Sequence, residues 1–339
     1  MKFLIVGPSW VGDAVMAQTL YKLIKASNKD STIEVLSPNW SIPILERMEE
    51  VSKSIISPFK HGELKINARF NFGKQLRKRD YERAIIMTHS LKSSLIPFFA
   101  NIPVRTGWLG EMRFGLINDL RSKEKSHYPL MIEQFAKLSI NPNEDLKKPL
   151  PYPSLKIDSY HLKEQLLNLG IDSEKPSIAI CPGAEFGPAK KWPSNYYADV
   201  CNEYLSNSWN VLVFGSQNDQ ITGNRIQEGI DEELSNNFFN LIGKTSLIDV
   251  VDLLSHCKKV VTNDSGLMHI AAAVNTPLVA IYGPSSPKFT PPLLHNHVVL
   301  RKFQGFDKIR EGSEEHGYHE SLIAIKPSEV LESLDLLNK

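Results

Sequence analysis

The residues able to do chemistry gather in a few glycine-bearing loops, each of which follows a short apolar run. GPSWVGDAVM (7–16) brings Asp13 to the start of a helical segment, with Gly7 and Gly12 allowing a tight turn before it. An aspartate there either caps the helix or presents its carboxylate at a cleft, where it can take a proton from a hydroxyl. CPGAEFGPAKKWP (181–193) sets Lys190 and Lys191 beside small residues that let the backbone approach a ligand closely. It reads as a solvated surface loop or as a cationic cradle. VVTNDSGLMHIAAA (260–273) runs from a buried strand through Asp264, Ser265 and Gly266 into an apolar helix, with His269 one turn in. The free amides and positive dipole end of such a helix suit a phosphate. Asp264 is then expected to cap the helix while Ser265 and the amides face the phosphates; His269 is structural or shares that face. YGPSSP (282–287), with Gly283, and FGSQND (214–219), with Asp219, are further loops of this kind.

Other chemistries leave no trace. There is no P-loop, no GxGxxG, no DxD, no Gly-x-Ser-x-Gly elbow and no metal-ligand histidine spacing. Cys181, Cys201 and Cys257 are widely spaced and form no CxxC, which fits buried, reduced thiols better than a metal site. What remains is a diphosphate pocket without a metal in the second half of the chain and a carboxylate in the first. That pairing suits transfer from a nucleotide-linked donor.

The elements that must position these loops follow one pattern. Phe3–Val6, Thr32–Leu36 and Ala84–Met87 read as strands, separated by helical stretches at 13–26 and around Lys74–Arg79. After residue 153 the alternation restarts. Strands are expected at 177–181, 211–214, 259–262 and 278–282, with helices at 195–205, 246–255 and 267–273. Strands alternating with helices imply parallel sheets covered on both faces. Between them NPNEDLKKPLPYP (141–153) holds four prolines and no periodicity, and reads as a linker. At 339 residues the chain is long enough for two domains. They are placed at 1–150 and 151–325, with a final helix at 326–339 that can pack on either. Two such domains set a cleft between the carboxyl ends of their sheets.

Composition excludes more than it selects. Hydrophobic residues make up 42% and the net charge is +1, so no global field favours nucleic acid, and acidic ligands must be met by local clusters of Lys and Arg. The N-terminal apolar run is too short for a signal peptide, and no stretch reaches the about 18 apolar residues of a membrane span.

Four long stretches, GPSWVGDAVMAQTLYKLI, HSLKSSLIPFFANIPVRTGWLGEMRFGLIND, CPGAEFGPAKKWP and TNDSGLMHIAAAVNTPLVAIYGPSSP, resemble in order the ADP-heptose:lipopolysaccharide heptosyltransferases of glycosyltransferase family 9. The resemblance implies an α/β GT-B fold, two Rossmann-like domains whose parallel sheets face each other across a cleft. It also implies inverting, metal-independent transfer of heptose from ADP-L-glycero-β-D-manno-heptose to the first heptose of the lipopolysaccharide inner core. Carried over by position, Asp13 matches the general base and Lys190 the lysine that neutralises the donor diphosphate. Asp264, Ser265, Gly266 and His269 match the donor-binding segment. Thr245 and Asp219 match residues near the nucleoside and ribose more loosely, and Gly283 lies in the last matching loop. Lys60 with His61, Lys92, Arg105 and Arg113 would face an acidic acceptor, since a guanidinium fork binds two oxygens at once. No cofactor is expected beyond the substrate ADP-heptose. The partners implied are that donor and a lipid A-Kdo-heptose acceptor at the membrane surface. The protein is expected to be a cytoplasmic monomer, with peripheral association at the inner membrane left open. The first heptosyl transfer, a nucleotide-sugar epimerase of like fold and a non-catalytic binding protein are the alternatives. Intact Asp13 and Lys190 argue against the last.

Overall fold

The computed structural model describes residues 1–60, 62–121, 127–306 and 308–337. The chain divides into two units, Met1–Pro153 and Ser154–Lys339. The first contains β1 (Lys2–Val6), β2 (Thr32–Ser37), β3 (Lys53–Ile56), β4 (Arg83–Ile86), β5 (Val104–Trp108) and β6 (Asp119–Arg121). They form one sheet in the order β3-β2-β1-β4-β5-β6, every neighbouring pair parallel. The second unit contains β7 (Ser177–Cys181), β8 (Asn210–Val213), β9 (Phe238–Asn240), β10 (Lys259–Asn263), β11 (Leu278–Tyr282) and β12 (His297–Arg301). Read from β9, its order is β9-β8-β7-β10-β11-β12, the same winding with every pair parallel.

Parallel strands covered on both faces need apolar residues at consecutive positions. β7 and β11 are buried along their whole length, and Leu4, Ile5, Ile85 and Ile86 are wholly inaccessible in the first sheet. These central strands are the ones the sequence shows as continuous apolar runs. β3, β5, β9 and β12 have partly exposed residues and mixed composition, so they carry no such signal. The helical stretch expected at 13–26 is two helices, Val11–Met16 and Gln18–Ser27, that meet at Ala17. The final helix, Pro327–Leu336, belongs to the second unit: Val330, Leu334 and the following Leu337 enter the core beside Trp192, Val279 and Ile281. Among the described residues no helix is long and apolar enough to cross a membrane.

In each unit the winding reverses between two central strands, β1 and β4 in the first and β7 and β10 in the second. The crevice outside the carboxyl ends of such a pair is where doubly wound sheets bind ligands.

Candidate active site

In the second unit, β10 ends on the buried Asn263, and this side chain fixes the loop after β7. Its Oδ1 accepts from the Trp192 backbone N–H at 3.1 Å and the Tyr197 hydroxyl at 2.9 Å, while its Nδ2 donates to the Pro182 carbonyl at 2.7 Å. Trp192 is itself fully buried, its indole N–H donating to the Ile325 carbonyl at 2.9 Å. Both ends of the 182–192 loop are thus tied to the core. Gly283, just past β11, completes the seat: a Cβ there would stand 3.0 Å from the Leu322 side chain and 3.1 Å from the Ala189 carbonyl. Glycine lets the loop lie against the strand end.

Held this way, the Lys190 ammonium lies 2.7 Å from Asp264 Oδ2, with the lysine side chain 23% exposed and the aspartate 9%. The helix Gly266–Ala273 starts two residues on. Its N-cap is Ser265, whose side chain makes no capping hydrogen bond. This corrects the expectation that Asp264 caps the helix; Asp264 instead holds Lys190. Ser265 Oγ, His269 Nδ1 and Ser285 Oγ are buried and have no hydrogen-bond partner among the described residues. Each such orphaned atom costs roughly 1–3 kcal/mol, so three at the ends of the adjacent strands β10 and β11 mark a place built to receive polar groups. Burial pushes the His269 imidazole down to about 4, against an opposing pull from Asp264, so the ring is neutral at pH 7. It adds no positive charge; Lys190 and the helix amides supply that.

Asp219 and Thr245 are placed differently. Asp219 Oδ1 accepts from the Lys191 ammonium at 2.8 Å, and Oδ2 accepts from the Ser216 backbone N–H and hydroxyl at 3.1 and 2.9 Å. Both of its oxygens therefore have partners within the loops of this unit. The half-buried Thr245 follows β9, its hydroxyl 3.5 Å from the Leu241 carbonyl.

The first unit carries a cavity of about 700 Å³ at the carboxyl ends of its central strands. Gly7, Trp10 and Asp13 line it after β1, and Thr88, His89 and Lys92 after β4. Asp13 is not an N-cap. Trp10 holds that position, and the half-buried Asp13 sits in the first turn of Val11–Met16. A carboxylate there is favoured by the helix dipole. The capping account of this residue therefore gives way to a carboxylate that lines a cavity. Trp10 and Trp40 are 60% and 53% exposed at the same cavity, and the Trp40 indole N–H donates to the Ser9 carbonyl at 3.0 Å, bracing the loop that leads to Asp13. The Thr88 hydroxyl is buried without a partner among the described residues.

Of the basic residues expected at an acceptor, Lys60 and Lys92 line this cavity; His61 lies outside the described residues. Arg113 and Arg105 are corrections. Arg113 is 1% exposed, and its guanidinium donates to the carbonyls of Thr88 at 2.7 Å and Trp108 at 2.6 Å, bridging the segments that follow β4 and end β5. Burial pushes it down to about 10, still protonated at neutral pH. Arg105 donates to the carbonyls of Leu116 at 2.7 Å and Ile102 at 2.6 Å. Both guanidiniums bind their own backbone. Sequence reasoning missed Arg69, which lines the cavity and ties the Leu64 carbonyl (2.6 Å) to the Lys92 carbonyl (3.2 Å). It also missed Asn263 and Ser285, since neither type at those positions differs in sequence from ordinary loop polarity.

Two doubly wound units of one topology, one with a cationic site at a helix end and the other with a carboxylate cavity, make a glycosyltransferase of GT-B-like fold. The family model for glycosyltransferase family 9 (heptosyltransferase) matches residues 69–319. The lipopolysaccharide heptosyltransferase 2 of Salmonella typhimurium is 46% identical across 99% of this chain and 98% of its own. The lipooligosaccharide heptosyltransferase 2 of Haemophilus influenzae is 44% identical across 99% of each. The solved structure of E. coli ADP-heptose LPS heptosyltransferase II matches with a TM-score of 0.91 and 44% identity, covering 100% of this chain and 99% of that one. The chain belongs to glycosyltransferase family 9, the heptosyltransferases.

Proposed function

We propose that this chain transfers heptose from ADP-L-glycero-β-D-manno-heptose to the first heptose of the lipopolysaccharide inner core, with inversion and without a metal. The donor half rests on one observation: Lys190 and the amides of Gly266–Ala273 converge where Ser265, Ser285 and His269 hold buried polar atoms without partners. A diphosphate carries the charge and the acceptor oxygens such a place requires. The acceptor half rests on the full-length relatives, which are called heptosyltransferase 2. The cavity lined by Asp13, Lys60, Lys92 and two exposed tryptophans supports it, because aromatic faces and cations suit a sugar chain bearing anionic groups.

In this reading Asp13 takes the proton of an acceptor hydroxyl as that oxygen bonds to the anomeric carbon. The bond from that carbon to the β-phosphate oxygen breaks on the opposite face, and ADP leaves with the electron pair. Lys190, held in place by Asp264, and the helix amides stabilise the departing diphosphate. Preorganised charge of this kind is usually the largest contribution to such a step. With the positive charge supplied by the chain itself, no metal is required. The enzyme would act as a cytoplasmic monomer.

Mass spectrometry of products from two acceptors supplied separately tests the proposal. Heptose is expected on an inner core that already carries one heptose, and none on Kdo-lipid A. Efficient addition to Kdo-lipid A would reassign the chain to the first heptosyl transfer.

A further inference from the structure

Single exposed apolar side chains are ordinary, but a contiguous set bordered by polar residues marks a binding face. The first unit has one. On the helix Ile66–Leu76, Ile66 and Phe70 are exposed one turn apart. The helix Leu91–Phe99 lies against it, so close that a Cβ on Gly73 would stand 2.7 Å from Phe99 Cβ. The Phe70 ring meets Phe99 at 5.3 Å between centroids, and Phe99 meets the exposed Phe98 at 5.6 Å. The Arg105 guanidinium, 5.5 Å from the Phe98 ring, donates to the carbonyls of Gly115 and Leu116 and so joins a loop where Met112 is 85% and Phe114 70% exposed.

The charge along the two helices of this face is basic, with the acids Glu63, Asp80 and the exposed Glu111 at its margins. Residues 65–79 hold six Lys and Arg and no acid, and residues 91–105 hold Lys92 and Arg105 and no acid. Lys74, Arg77 and Lys78 are exposed. The face also adjoins the carboxylate cavity, whose lining includes Leu64 and Lys92 from the same segments.

We propose that this face docks on an anionic lipid bilayer. Phe70, Phe98, Met112 and Phe114 enter the boundary between headgroups and acyl chains, and Lys74, Arg77 and Lys78 meet anionic headgroups. Apolar burial combined with basic side chains is how surface-bound proteins hold to such membranes. A second copy of the chain fits less well, because a two-fold contact through this face would set its cations against each other. The inference rests on the proposed function only in that a lipid-anchored acceptor lies at such a surface.

The test is co-sedimentation of the full chain with vesicles of phosphatidylglycerol and phosphatidylethanolamine, beside vesicles of phosphatidylcholine alone. Wild type should bind the anionic vesicles and release them in molar salt, which screens exposed charge. The double variant Lys74→Gln/Lys78→Gln should bind about 25-fold more weakly, at about fivefold per lysine. Met112→Ser/Phe114→Ser should lose at least about tenfold through lost apolar burial. Both variants should transfer heptose to a deacylated, soluble acceptor as wild type does. Absence of wild-type binding, or binding that neither variant weakens, overturns the proposal. So does sedimentation equilibrium showing a wild-type dimer that Met112→Ser/Phe114→Ser dissolves. Failure of the functional reading would show separately, as intact vesicle binding with no transfer to the soluble acceptor.

Discussion

Replacing His269 with asparagine should flatten the acid side of the stability profile. The buried ring titrates near 4 in the folded chain, against about 6.5 when unfolded. Because the folded value is depressed, the unfolded state binds more protons between these two pH values. The stabilisation is therefore complete above about pH 6.5 and is lost as pH falls towards 4. For those two values the loss between pH 7 and pH 5 is about 2 kcal/mol, levelling off near 3 kcal/mol below pH 4. Asparagine keeps a polar group in the pocket but cannot take up the proton. Urea midpoints of wild type and His269→Asn, measured at pH 7, 6 and 5 in matched salt, isolate this one group, since all other titrations are common to both. The variant should start less stable at pH 7 and gain on wild type by about 2 kcal/mol at pH 5. A gap between the two that stays constant over this range would refute the assignment of a neutral, buried imidazole beside Lys190 and Asp264.

Asp13→Asn should abolish transfer while leaving ADP affinity within a few-fold by calorimetry, because Asp13 and Lys190 belong to different units; near-normal turnover would reduce Asp13 to a structural residue of its helix. Lys190→Ala should lower kcat by about 10²–10³, the usual effect of one preorganised group, whereas Lys191→Ala should chiefly loosen the Asp219 loop; the reverse order would mean the two lysines exchange roles. Transfer should survive excess EDTA, and loss of the chemical step restored by magnesium would sink the metal-free mechanism. Arg113→Ala should destabilise the first unit by at least about 3 kcal/mol, counting two charged hydrogen bonds at 1.5–3 kcal/mol each, and a rise in acceptor KM with unchanged urea midpoint would contradict its structural placement.

The loops that carry the chemistry were legible because of where they fall. Gly7–Asp13, 182–193 and Asp264–Gly266 each follow a buried strand with an apolar run at its centre, and that pattern survives in sequence because both faces of the strand are covered. The cation partners were not legible. Arg105 and Arg113 sit in RTGWLGEMR as plausible anion ligands, yet the chain folds back so that backbone carbonyls occupy both guanidiniums. A carbonyl has no signature in the residue that contributes it. The capping position was also displaced, from Asp264 to Ser265, because an ion pair with Lys190, 74 positions away, claimed the carboxylate.

The sequence by itself determined the alternation of strand and helix, the proline-rich break between 141 and 153, and a loop carboxylate at Asp13 with loop cations at Lys190 and Lys191. These depend on local period and local residue type, which neighbouring positions are enough to express. The roles of base and diphosphate lysine came from the family resemblance. Only the tertiary structure decided which side chains meet. It seated Lys190 through Asn263 and Trp192, gathered the orphaned atoms of Ser265, His269 and Ser285, buried Arg113, and left the Phe70–Phe98 face uncovered. Such pairings join residues tens of positions apart, and their energies depend on burial and distance, which no window of sequence contains.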